Sequence, residues 1–261
     1  MLPQLDFLTI GKGRPVIFLH GFCERKEMWE EFVQPFAQNF QIYLVDLPGF
    51  GNSPLPDTSL SLELVAVHLQ EWMLDQGIDN PVLIGHSLGG YVIMAMVELM
   101  CSSISGIGLF HSSALPDDEE KKRVRDKTYE FVQKHGVDKF ITSFVPPLFT
   151  ESNRTNLQQE IEMLIQLGST SPEETVLAYI LAMRNRKDRL GEWKGYQGKK
   201  LFIAGDQDTA VPINISKLHQ SEGVAYHELS GVGHMGMFEA AEDCRQLILE
   251  FLLQSSDSPQ Q

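Results

Sequence analysis

A serine hydroxyl is a poor nucleophile until a base takes its proton and an acid holds that base in place. The sequence carries all three residue types at the ends of β-rich runs. Gly85-His86-Ser87-Leu88-Gly89 fits G-x-S-x-G. Pro81–His86 reads as a strand and Leu88–Cys101 as a helix, which puts Ser87 on a sharp strand-to-helix turn. The flanking glycines give that turn room, and the Leu88 amide opens the helix towards any developing oxyanion. Farther on, Gly205-Asp206-Gln207-Asp208 follows the run Lys200–Gly205, and Gly233-His234 follows Val224–Leu229. Both groups should leave the sheet at its carboxyl edge, where open α/β sheets place their ligand crevice, and Ser87 leaves there too. The chemistry would be acyl transfer, with Ser87 attacking, His234 as the base, and either Asp206 or Asp208 as the orienting acid.

Positioning these groups requires an α/β scaffold. Leu5–Ile10, Pro15–His20, Phe40–Asp46, Pro81–His86, Ile104–Phe110, Lys200–Gly205 and Val224–Leu229 read as strands alternating with helical patterns such as Ser61–Gln76 and Leu88–Cys101. Such alternation predicts a doubly wound, mostly parallel sheet with helices on both faces. A last helix is expected over Glu239–Leu253, where Ala240, Cys244, Leu247, Ile248 and Phe251 recur at helical intervals. Between Ser112 and Tyr196 the alternation stops: Asp117–His135, Val137–Phe144, Asn153–Leu167 and Pro172–Arg184 all read as helices. The expected organisation is therefore a core of 1–111 and 197–261 carrying a helical insertion at 112–196. Asp117 followed by Glu120 resembles an N-terminal capping arrangement for the first inserted helix. The tail Ser255–Gln261 is polar and should fray.

In its elbow and in its Ser, acid, His order the chain resembles the α/β-hydrolase superfamily. The resemblance runs from His20 to the last helix. It is carried further by His20-Gly21-Phe22-Cys23 after an early strand and by Asp46-Leu47-Pro48-Gly49-Phe50-Gly51-Asn52-Ser53, similar to the family's D-x-x-G-x-G-x-S loop, which we read as structural. The resemblance implies that Asp208, in the family's G-x-x-D position and followed by Val211-Pro212, is the acid. It also implies that the Phe22 amide joins that of Leu88 in the oxyanion hole and that 112–196 is the family's cap. The activity implied is hydrolysis of a small carboxylic ester through an acyl-enzyme, without a cofactor. The alternatives are carbon–carbon bond hydrolysis, lactone opening or peracid formation with the same triad, or a small-molecule receptor with slow turnover. Haloalkane dehalogenases and epoxide hydrolases are disfavoured, because their elbow nucleophile is an aspartate.

Composition narrows the partners. Across 261 residues, 21 Lys+Arg against 35 Asp+Glu give a net charge of −14, which argues against a grip on phosphate backbones. The apolar stretch Gly89–Cys101 is interrupted by Glu98 and is shorter than the roughly 18 apolar residues of a membrane span. No secretory signal is visible at Met1–Ile10. Three widely spaced cysteines, Cys23, Cys101 and Cys244, fit free thiols in a reducing cytoplasm, and no metal motif is present. Gly231-Val232-Gly233-His234-Met235-Gly236 fits a dinucleotide fingerprint, but no strand follows to complete the βαβ unit. Among the other histidines, His20 and His86 should brace their loops. His68, His135 and His219 read as helix-surface residues, and His227 as part of a strand. His111, at a strand end beneath the insertion, is a candidate substrate contact, as are Phe144 and Phe149 in Phe144-Val145-Pro146-Pro147-Leu148-Phe149, a run too apolar for an exposed loop. Together with Phe140, Leu148, Tyr179 and Met183 they should wall the crevice. The oligomeric state is not legible in the sequence.

Overall fold

The computed structural model describes residues 2–254, so the tail Ser255–Gln261 lies outside the described residues. Seven strands form one sheet in the order β1-β3-β2-β4-β5-β6-β7. They are β1 (Phe7–Gly11), β2 (Arg14–Leu19), β3 (Phe40–Val45), β4 (Val82–His86), β5 (Gly106–Phe110), β6 (Lys199–Gly205) and β7 (Val224–Leu229). Only the β1–β3 pair is antiparallel. The register of the central strands, with Leu19 beside Gly85 and His86 beside Phe110, brings their carboxyl ends to one edge. Every residue of β5, and all of β4 and β6 but the first, is buried, as befits strands covered on both faces. The outer strands β1 and β7 are half-exposed throughout.

Of the core helices, α1 (Leu62–Asp75) and α2 (Leu88–Met100) pack together. Ser61 caps α1, its hydroxyl accepting from the Leu64 amide at 3.2 Å. Between β5 and β6 the chain forms α3 (Glu119–His135), α4 (Val137–Phe144), α5 (Gln158–Ser169), α6 (Glu173–Arg184) and α7 (Leu190–Gly195). The first four pack on one another, whereas α7 packs back on α2, with Trp193 against Phe202 of β6. The two ends of this insertion are tied to each other and to the core. The Arg189 amide donates to Ala114 O at 2.8 Å, and the Arg189 guanidinium reaches Glu63 of α1 and Glu98 of α2. Arg186 pairs with Asp117 at 2.6 Å. Two short helices, α8 (Ile213–Ser216) and α9 (Gly236–Glu239), lead to the longer α10 (Ala241–Leu253).

Three sequence expectations change. Asp118, not Asp117, caps α3, accepting from the Lys121 amide at 2.8 Å, because Asp117 is turned inward to pair with Arg125 and Arg186. The last helix is broken at Ala240, whose backbone (φ −144°, ψ 51°) separates α9 from α10. His68 and His219 are buried rather than on helix surfaces. His68 bonds Pro3 O, and His219 stacks on Phe202 at 4.7 Å while accepting the Ala114 amide.

Candidate active site

Ser87 sits between β4 and α2 with φ +48° and ψ −111°, a conformation that L-residues rarely adopt and that the surrounding packing must enforce. Its amide donates to Phe110 O at 3.0 Å, and its carbonyl accepts from the Ser112 hydroxyl at 2.6 Å. A Cβ on Gly85 would lie 2.4 Å from the Gly89 carbonyl carbon, and one on Gly89 would lie 2.5 Å from Leu19 O. Glycines on both sides of Ser87 therefore let α2 start against the ends of β4 and β2.

Asp208 and His234 emerge from the loops after β6 and β7. His234 Nδ1–H donates to Asp208 Oδ2 at 2.8 Å, and both residues are buried. His111 adds a second N–H to the same oxygen at 3.3 Å, while Asp208 Oδ1 accepts the Ala210 and Val211 amides, each at 2.8 Å. Burial works to raise the Asp208 pKa, but the two imidazoles and their hydrogen bonds hold it far below the usual carboxylate range. Asp206 is exposed and serves its own turn, accepting from the Gly231 amide and the Ser230 hydroxyl. Of the two aspartates, only Asp208 meets His234. No hydrogen bond joins Ser87 Oγ to His234 Nε2; the His234 ring lies 4.9 Å from that of His86, the residue before Ser87. Such contacts often close only when substrate is bound.

The amides of Phe22 and Leu88 donate to no protein acceptor among the described residues, and the contact between Gly89 and the end of β2 sets their two loops side by side. A buried pair locks these loops to that of His234. Glu24 Oε2 accepts the Gly21 amide at 2.5 Å and faces His86 Nδ1 at 2.9 Å, while His86 Nε2 faces His234 O at 3.0 Å. With an acceptor at each ring nitrogen, His86 satisfies both only as an imidazolium. Burial lowers its pKa, but the Glu24 carboxylate beside it outweighs burial and leaves it raised. His20 braces the same region as a neutral ring, donating from Nδ1 to Gly21 O and accepting the Leu47 amide at Nε2. Sequence reasoning passes over Glu24 and Glu239, since a lone acidic residue near Gly21 or His234 looks like any surface charge. The D-x-x-G-x-G-x-S loop is held by Asp46, which takes the Lys26 amide and ammonium and the Asn52 amide.

The structure places His111 1% exposed behind Asp208, its Nε2 unpartnered and a Cβ on Gly236 only 2.3 Å from it. Its φ is +47°. Phe144 is half-buried and meets the Phe22 ring at 6.0 Å, while Phe149 is fully buried and meets Phe238, just beyond the His234 loop, at 6.2 Å. Tyr179 meets Phe50 in a tilted ring contact at 4.8 Å. His111, Asp208 and His234 form the one group among the described residues whose ligating atoms, within 4.8 Å of one another, could hold a metal ion. An ion there would replace the N–H bonds that orient His234.

A glycine-flanked serine on a strained turn, a buried carboxylate–imidazole pair and two unpaired amides at one sheet edge define a nucleophile-elbow architecture. The chain belongs to the alpha/beta hydrolase family, whose model matches residues 16–247. It is similar to a thermophilic esterase from Thermogutta terrifontis, at 28% identity and a TM-score of 0.89 over 95% of this chain and 92% of that one. An enol-lactonase from Burkholderia xenovorans LB400 shares the fold at 19% identity and a TM-score of 0.89, covering 96% of each chain. A 2-hydroxy-6-oxo-6-(2'-aminophenyl)hexa-2,4-dienoic acid hydrolase from Metapseudomonas resinovorans is 22% identical over 97% of this chain and 89% of its own length. No helix among the described residues is long and apolar enough to cross a membrane.

Proposed function

We propose that this chain is a serine hydrolase that cleaves small carboxylic esters through an acyl-enzyme. The observation that carries the reading is the buried Asp208–His234 bond of 2.8 Å set beside the strained Ser87 turn. His234 Nε2 takes the Ser87 proton as Oγ attacks the ester carbonyl. The oxyanion that forms is met by the Phe22 and Leu88 amides. The alcohol leaves with the proton from His234; water then attacks the acyl carbon, giving its proton to His234, and the acid is released as Ser87 recovers its hydrogen. Asp208, already filled by four N–H donors, stays ionised and orients the base.

Residues 112–196 act as a cap, and substrate choice rests on it. Supporting this are Phe140 and Phe144, each with ring centroids 6.0 Å from Phe22. Apolar acyl or alcohol groups of modest size suit such walls better than charged ones. The three free cysteines suit a reducing cytoplasm. The test is labelling of Ser87 by a fluorophosphonate together with steady turnover of p-nitrophenyl acetate. Labelling without turnover would favour a receptor. The relative from Metapseudomonas resinovorans, matched over nearly the whole chain, favours a second reading, carbon–carbon bond hydrolysis with the same residues. A 2-hydroxy-6-oxohexa-2,4-dienoate turned over far faster than any ester would select it.

A further inference from the structure

The chain between α4 and α5 is bonded into the loop that carries His234. The His234 amide donates to Leu148 O at 2.8 Å. Next to this bond the Glu239 carboxylate lies between the two segments. Its Oε1 accepts the Gly233 amide at 3.0 Å and the Met235 amide at 3.2 Å, the residues on either side of His234. Its Oε2 accepts from the other segment: the Thr150 amide and hydroxyl, each at 2.9 Å, and Asn153 Nδ2 at 3.0 Å. A Cβ on Gly233 would lie 2.7 Å from Leu148 O, so a glycine is what allows this approach. Five donors converge on a group that only accepts, and a glutamine there would turn N–H groups towards N–H groups.

We propose that Glu239 is a positioning residue through which the cap segment around Leu148–Asn153 holds His234 in register with Asp208 and Ser87. Cap seating is then a condition for base alignment as well as for substrate choice. The cap is tied to the base at this end by hydrogen bonds, whereas on the α4 side Phe140 and Phe144 meet Phe22 through ring contacts. This rests on the reading of His234 as the base.

The experiment compares Glu239→Gln, the double variant Thr150→Val with Asn153→Leu, and His234→Ala, with kcat and KM measured on p-nitrophenyl acetate and hexanoate and folding followed by circular dichroism. A misplacement of about 1 Å costs on the order of a hundredfold in rate. Glu239→Gln should lower kcat by about thirtyfold or more on both esters alike, with KM within about threefold. The double variant leaves the bonds to Gly233 and Met235 intact and removes two on the cap side. It should lower kcat about five- to tenfold on both esters. If Glu239→Gln folds and alters only the preference for chain length, or leaves acetate turnover unchanged, Glu239 merely packs the cap and the proposal is overturned. Should Glu239→Gln not fold, the double variant decides: unchanged kcat overturns the coupling, a common loss on both esters upholds it. Activity retained in His234→Ala would instead remove the reading of the base on which the proposal stands.

Discussion

The carboxyl edge of the sheet and the aromatic wall of the insertion are built by opposite means. At the edge, direction is everything: Asp208 takes four N–H bonds, and Glu24, His86 and the backbones of Gly21 and His234 form one continuous relay. At the wall, Phe22, Phe140 and Phe144 touch through ring faces and edges, with centroids 5.0 to 6.0 Å apart. Hydrogen bonds lose strength steeply with angle, whereas apolar contact is nearly indifferent to it. One region fixes atoms and the other fills volume, so chemistry and selectivity should respond separately to substitution.

The sharpest test of that separation is Ser87→Ala. It should remove about 10⁴ to 10⁶ of the ester hydrolysis rate with the fold intact. Retention of a tenth of the activity would mean that the edge does not do the chemistry. Next comes the pair of aspartates. Asp208→Asn should misorient His234 and cost about 10⁴ in kcat, while Asp206→Asn, in an exposed turn, should stay within about threefold; reversed effects would exchange their roles.

Glu24→Gln probes the relay through stability and its dependence on pH. The folded pKa of His86 is raised above 6.5, so its share of stability is complete below that pH and is lost as pH rises through the raised value. That of Glu24, where burial raises it but His86 pulls it down further, ends below 4.5, so its share is complete above 4.5 and is lost as pH falls through the lowered value. The Tm gap between wild type and Glu24→Gln should be widest between pH 4.5 and 6.5 and narrow on either side; a gap independent of pH would show that the pair is not charged. The smallest effect belongs to the wall. Phe144→Ala should shift kcat/KM towards longer acyl chains while short-ester turnover stays within about tenfold. An unchanged profile would leave Phe144 in packing alone.

What the sequence discloses follows the same division. The seven strands were legible because hydrophobic runs bounded by glycine, proline and aspartate are local signals, and the meeting of Asp208 with His234 at one edge, near the Ser87 turn, because all three follow such runs. Asp117 and His219 were misread, since their partners Arg186, Phe202 and the Ala114 amide are distant in the chain and no periodicity points inward for a polar residue. The relay through Glu24 and the clamp at Glu239 stayed hidden for the same reason. Each is an ordinary acid until the fold brings amides to it from other loops.

Of the four described non-glycine residues with positive φ, three lie at the carboxyl edge of the sheet; the fourth, Asn80 (φ +46°), precedes β4. Cys23, Ser87 and His111, with φ of +60°, +48° and +47°, lie just past the carboxyl ends of β2, β4 and β5. Each such residue costs on the order of 1 to 3 kcal/mol, which replacement by glycine would relieve. On the reading of Ser87 as the nucleophile, the strained turn and the hydroxyl trade against each other: Ser87→Gly relaxes the backbone and gives up the attacking group, so a chain made more stable at that turn is made inert at the same position.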